Sequence, residues 1–163
     1  MIAIVLGSQT DLPVVQDACD LLKRFKIPYE IRIISAHRSP KVLHRYITRL
    51  EAKGIRVVIG VAGGAAHLPG VIASLTHLPV IGVPVQTKAF KGIDSLLSII
   101  QMPSGVPVAT VSVGSAGAKN AAILAAQILA LGNKTLSARI KRYKKGLSRE
   151  VQRMDQRLKD YEG

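Results

Sequence analysis

Two tight groups near the start of this 163-residue chain have the side chains that chemistry uses: Ser8 and Asp11 in GSQTD, and His37 and Arg38 in SAHR. A third segment, AGGAAHLPG, sets His67 just after the paired glycines Gly63 and Gly64. Histidine titrates near neutrality, so His37 can take or give a proton. Arg38 can hold a phosphate or carboxylate by two hydrogen bonds, and its charge disfavours imidazolium, which leaves His37 a neutral base at rest. The plain alternative is a His37 bonded to a backbone carbonyl and an Arg38 facing water. Gly7 and Ser8 ahead of a helix offer N–H groups and the positive end of a helix dipole, suited to an anion or a polar ribose. The alternative there is a simple helix cap supplied by Asp11. Gly63-Gly64 lets backbone approach a ligand closely, with His67 to orient it, or else makes a tight turn into a helix.

Other chemistries lack their residues. There is no GxGxxG, no GxxxxGK[ST], no HExxH and no GxSxG, and Cys19 is the single cysteine, which predicts core packing rather than a disulfide or thiolate cluster. His44 and His77 read as surface or capping residues. The expectation is proton transfer on a small ligand, with no metal and no cofactor.

These segments must be positioned by the elements around them. IAIVL is short and continuously apolar, as a strand buried on both faces is. Asp11 then caps a helix with Pro13 in its first turn, and Ile27-Pro28 stops it. Tyr29 to Ile34 reads as a second strand, and Ser39-Pro40 as cap and first residue of a helix running to Lys53 and ending at Gly54. Ile55 to Val61, Val80 to Val83 and VPVATVSV supply three more strands, with helices through Leu75 and Ile100 between them. AKNAAILAAQILALG is a fifth helix, apolar on most sides, for which another subunit is a plausible cover.

Strands alternating with helices predict a three-layer, flavodoxin-like α/β fold with a parallel sheet of order 2-1-3-4-5. Ligands in such sheets sit outside the carboxyl ends of the strands where the winding reverses. GSQTD, SAHR and AGGAAHLPG all follow strands there, so the order itself predicts that they converge.

The chain is 48% hydrophobic and 20% charged, enough for one core, and its net charge is +13. We expect a catalytic domain over 1–133 and a basic helical extension over 134–163, broken at Gly146, that is not an independent domain. No segment is apolar enough to span a membrane, and MIAIVLGSQTD has no cationic lead-in of a signal peptide, so the expected location is cytoplasmic. With two phenylalanines and four tyrosines there is no stacking platform, and nucleic acid is not an expected partner.

GSQTD, SAHRSP, AGGAAHLPG, GVPVQ, SIIQMPSGVPVATV and NAAILAAQIL, in that order, resemble the PurE family of N5-carboxyaminoimidazole ribonucleotide mutases of purine biosynthesis, from Ile2 to about Leu131. AGGAAHLPG resembles the mutase class of bacteria and plants. The resemblance implies a cofactor-free shift of a carboxylate from an exocyclic nitrogen to a ring carbon of a small-molecule ribonucleotide, within a pocket that excludes water. It implies His37 as general acid and base, Ser8, Asp11 and Arg38 as ribonucleotide contacts, and Ser35, Ala36, Gly64, His67 and Leu68 as pocket lining. The Gly63-Gly64 backbone and His67 would hold the migrating carboxyl group. It further implies a homo-octamer with active sites near subunit contacts. Two departures stand out: Thr10 where the family commonly has serine, and the unusually basic tail. The rival readings are direct carboxylation of aminoimidazole ribonucleotide, carboxylation of another mononucleotide such as a pyridine one, and a non-catalytic nucleotide- or nucleic-acid-binding module.

Overall fold

The computed structural model describes residues 1–162; Gly163, the end of the expected extension, lies outside them. Five apolar runs form β1 (Ile2–Leu6), β2 (Tyr29–Ile33), β3 (Val57–Gly63), β4 (Val80–Val85) and β5 (Ala109–Thr110). All pair in parallel, in the expected order β2-β1-β3-β4-β5. Alternate residues of β1 feed two cores. Ile2, Ile4 and Leu6 point to a layer made by α1 (Leu12–Phe25), α5 (Gly114–Ala130) and α6 (Lys134–Glu162). Ala3 and Val5 face the other layer, α2 (Pro40–Ile47), α3 (Leu68–Leu75) and α4 (Ile93–Ile100). Cys19 is buried in the first core, as expected, and burial pushes its thiol pKa up.

Several boundaries differ from expectation for local reasons. α2 stops at Ile47, not Lys53. The Thr48 hydroxyl donates to the carbonyls of His44 (3.1 Å) and Arg45 (3.3 Å), and the chain tightens into three-residue turns that end at Gly54, whose φ is +74°. Ser39 precedes α2 but does not cap it; its hydroxyl donates to the Ser35 carbonyl instead. β3 starts and ends two residues later than expected, and β4 runs on to Val85. β5 is much shorter than VPVATVSV. Val111 donates its N–H to Gly82 O, but the next ladder bond would need an N–H at residue 84, which is proline.

The helix break expected at Gly146 is also absent. α6 passes straight through Gly146, because an internal glycine costs only about 1 kcal/mol against alanine and keeps its N–H in the ladder. Its proximal part docks on the body: Leu136 and Ile140 are buried, the Tyr143 ring stands edge-on to Phe25 at 5.4 Å, and Arg139 donates to Phe25 O at 2.9 Å. The cover of α5 thus comes in large part from α1 and α6 of the same chain. Among the described residues no helix is long and apolar enough to cross a membrane.

Close approach of α4 to the sheet depends on Gly82. A Cβ there would lie 2.5 Å from Ile99 Cγ2 and 2.9 Å from Val108 Cγ1. Gly82→Ala therefore overpacks this layer and should destabilise the fold by about 1–3 kcal/mol, read as a lowered midpoint in chemical denaturation; an unchanged midpoint would show that α4 can retreat freely.

Candidate active site

The register brings three loops together. Leu6 is level with Ile33 on one side and Val61 on the other, and the two outgoing chains remain tied: Ile34 donates to Leu6 O at 2.9 Å and Gly7 to Val61 O at 3.0 Å.

In the loop after β1, Ser8 is the N-cap of a single 3-10 turn, Gln9–Asp11. Its Oγ accepts from the Thr10 N–H and the Thr10 hydroxyl, while Asp11 Oδ2 accepts from the Ser8 N–H at 2.9 Å, a reciprocal capping box. This corrects the sequence expectation: Asp11 makes no side-chain cap to α1, and the capping hydroxyl is that of Ser8. The reason is local, since the chain takes a 3-10 turn before α1 begins. Thr10 uses its hydroxyl within this box. Asp11 is buried although it carries a carboxyl group. Burial pushes the Asp11 carboxyl pKa up, against the hydrogen bonds from Ser8, Thr10 and Gly7 that favour its charge.

In the loop after β2, Arg38 folds back across the junction. Its guanidinium donates to Gly7 O (3.2 Å) and to Ser35 Oγ (3.4 Å), and its N–H also reaches Ser35 Oγ. Arg38 thus joins the first loop to the second, with other N–H groups left for an anion. The ring of His37 meets another histidine rather than a backbone carbonyl: its Nε2 lies 2.9 Å from Nδ1 of His67, with the two rings edge to face at 5.0 Å. One ring must donate and the other accept, so the pair fixes complementary tautomers and cannot form this bond with both rings doubly protonated.

The loop after β3 turns at Gly64, where φ is +68°. The Gly64 N–H donates to the buried Ser95 hydroxyl, and His67 then occupies the N-cap position of α3 without a side-chain cap. The glycine pair therefore does make a tight turn into a helix, and that turn is what sets His67 against His37.

A cavity of about 490 Å³ lies among these loops. Ser8, Asp11, Ser35, Ala36, His37, Arg38 and Leu68 line it. Gly64 and His67 do not; Gly64 donates its N–H to Ser95, and His67 is hydrogen-bonded to His37. Sequence reasoning missed Gln86 and Thr87, which close the far side from the loop after β4. Their signal was available, because β4 pairs with β3 level with Gly63, at Val85. His37 and Arg38 are exposed, so a single chain leaves the mouth of the cavity open. A second cleft of about 470 Å³, along α6 beside Arg24, holds no histidine and none of these turns. His77 sits at the surface 3.3 Å from Glu51, and among the described residues no three His, Cys, Asp or Glu side chains cluster as a metal site would need.

Fold and site together define a flavodoxin-like α/β protein with a nucleotide-sized pocket at the carboxyl ends of its strands, furnished for proton transfer. A family model described as AIR carboxylase matches residues 1–150. A Pyrococcus horikoshii protein named N5-carboxyaminoimidazole ribonucleotide mutase is 52% identical over 160 residues, 98% of this chain and 89% of that protein. A Thermotoga maritima protein of the same name is 53% identical, covering 96% of this chain and 91% of its own. The crystal structure of Treponema denticola PurE superposes with a TM-score of 0.89 at 31% identity, over 97% of this chain and 98% of that one. The chain belongs to the AIR carboxylase family.

Because the Asp11 carboxyl titrates higher folded than unfolded, its ionisation costs stability as pH rises through the raised value. Asp11→Asn keeps an oxygen for the Ser8 N–H but carries no charge. Its melting temperature relative to the unaltered protein should therefore rise from acid toward neutral pH; a pH-independent difference would contradict the buried-carboxylate account.

Proposed function

We propose that this protein converts N5-carboxyaminoimidazole ribonucleotide to 4-carboxyaminoimidazole ribonucleotide in purine biosynthesis, without a cofactor and with His37 as general acid and base. The observation that carries the reading is the meeting of His37, Arg38, Ser8 and Asp11 in one cavity, in a chain about half identical to proteins named for that reaction. Arg38 and the N–H groups of the first loop suit the ribonucleotide's phosphate, and the Ser8–Asp11 pair its hydroxyls. The substrate carbamate breaks its N–C bond and releases carbon dioxide, leaving the pair of electrons on the aminoimidazole. The nucleophilic ring carbon attacks that carbon dioxide, and His37 removes the ring proton, restoring aromaticity, and delivers it to the exocyclic nitrogen that lost the carboxylate. His67, hydrogen-bonded to His37, selects which imidazole nitrogen is free to accept it. Gly63, with Ala36 and Leu68, bounds the space for the migrating group.

The same reading takes residues 1–133 as the catalytic domain, α6 as an extension dependent on it, the cytoplasm as the location, and a homo-octamer as the working form. What supports assembly is the open mouth of the pocket together with unpartnered apolar surface beside it. Phe90, Ile93, Leu97 and Ile100 stand exposed just after the pocket-lining Gln86 and Thr87. Distal α6 likewise projects Leu147, Val151, Met154, Leu158 and Tyr161, the continuation of the face that Leu136 and Ile140 bury. Leu97→Asp should lower the mass of the assembly in light scattering and reduce turnover with it.

The family model's own description makes direct carboxylation the second reading. Supplying N5-carboxyaminoimidazole ribonucleotide, or aminoimidazole ribonucleotide with bicarbonate, separates the two by which one yields product. His37→Asn should fold and bind ribonucleotide yet lose about 100- to 10,000-fold in turnover; full turnover in a folded variant would remove His37 from its role.

A further inference from the structure

Ser95 lies outside the cavity and is fully buried. Its hydroxyl donates to Val85 O at 2.7 Å and accepts from the Gly64 N–H at 2.9 Å. One serine thus clasps the end of β4 to the turn after β3. Gly64 needs such a clasp, since its left-handed conformation makes no ladder bond of its own there. Ser98, one helical turn on, donates to Asp94 O at 2.7 Å and reaches Gly64 O at 3.3 Å, and Asp94 Oδ1 accepts from the Thr87 hydroxyl at 2.9 Å. The inner face of α4 therefore holds two pocket walls in fixed relation, the glycine turn and the Gln86–Thr87 segment.

We infer that Ser95 is a positioning residue that keeps released carbon dioxide in the pocket, by fixing the Gly63-Gly64 turn against β4. The inference rests on the reaction proposed above. Carbon dioxide is small, uncharged and weakly held, so its fate is a competition between attack by the ring carbon and escape. Only the placement of the surrounding walls biases that competition. Losing the hydroxyl leaves Gly64 N–H and Val85 O without their partner and frees the turn to shift.

The test uses purified full-length protein supplied with N5-carboxyaminoimidazole ribonucleotide. It reads aminoimidazole ribonucleotide formed against 4-carboxyaminoimidazole ribonucleotide formed, after subtraction of decay without enzyme. Ser95→Ala should raise that ratio about 10-fold or more, with kcat falling by about 10- to 100-fold and KM little changed. Ser98→Ala, whose other bond stays within its own helix, leaves the fold intact and should raise the ratio by a smaller factor. Leu22→Val, which loosens the opposite core layer, should lower stability and leave the ratio unchanged. An unaltered ratio in both serine variants, or the same rise in Leu22→Val, overturns the role of Ser95. If the unaltered protein forms no 4-carboxyaminoimidazole ribonucleotide, the proposed reaction itself fails, a result separate from either.

Discussion

The carboxyl end of β1 is hydrogen-bonded on both sides at once, to the chain leaving β2 and to the end of β3. The site depends on that junction. Parallel strands in register end level, and their loops must then share the same few ångströms above the sheet. Arg38 uses the geometry directly, since its guanidinium can reach Gly7 O only because β2 and β1 are neighbours ending together. The bond between His37 and His67 spans the same junction from β2's loop to that of β3, across β1.

Topology was legible because it follows from periodicity and alternation. IAIVL is apolar without interruption because β1 lies between two strands and under helices on both faces. Polar residues in β2, Glu30 and Arg32, belong to a strand at the edge, where one side meets solvent. The convergence of Ser8, His37 and the glycine turn could therefore be argued before any coordinate. Boundaries were less legible, since each was decided by one competing bond: the Thr48 hydroxyl against the α2 ladder, or the missing N–H of Pro84 against β5. Which side chain caps which turn was also hidden. SQTD permits either Ser8 or Asp11 as cap, and only the 3-10 turn decides between them.

Ser95 was invisible for a different reason. In GIDSLLSII it is an ordinary helical serine, and nothing local marks it as buried. Its place follows from how near α4 comes to β4, which the absence of a side chain at Gly82 permits. Like Asp11, it is a polar side chain in a largely apolar interior, and backbone of the neighbouring loops supplies its hydrogen-bond partners. A buried polar group without partners costs about 1–3 kcal/mol, so these loops and their serine or aspartate stabilise one conformation together. The walls of the cavity are rigid at the back for this reason, although its mouth is open.

That asymmetry bears on what the lone chain can do. A reaction passing through free carbon dioxide needs the mouth covered during the step, and His37 and Arg38 stand exposed among the described residues. The segment beside the mouth carries exposed Phe90 and Ile93, followed by Leu97 and Ile100 on the same side of α4. Four large apolar side chains in one stripe exceed what scattered surface residues explain. Burying them against another copy would remove apolar area from water at about 25 cal/mol per Å² while limiting solvent access at the neighbouring pocket. Assembly and water exclusion would then be served by one surface, and the fixed back wall would meet a cover that no single chain supplies.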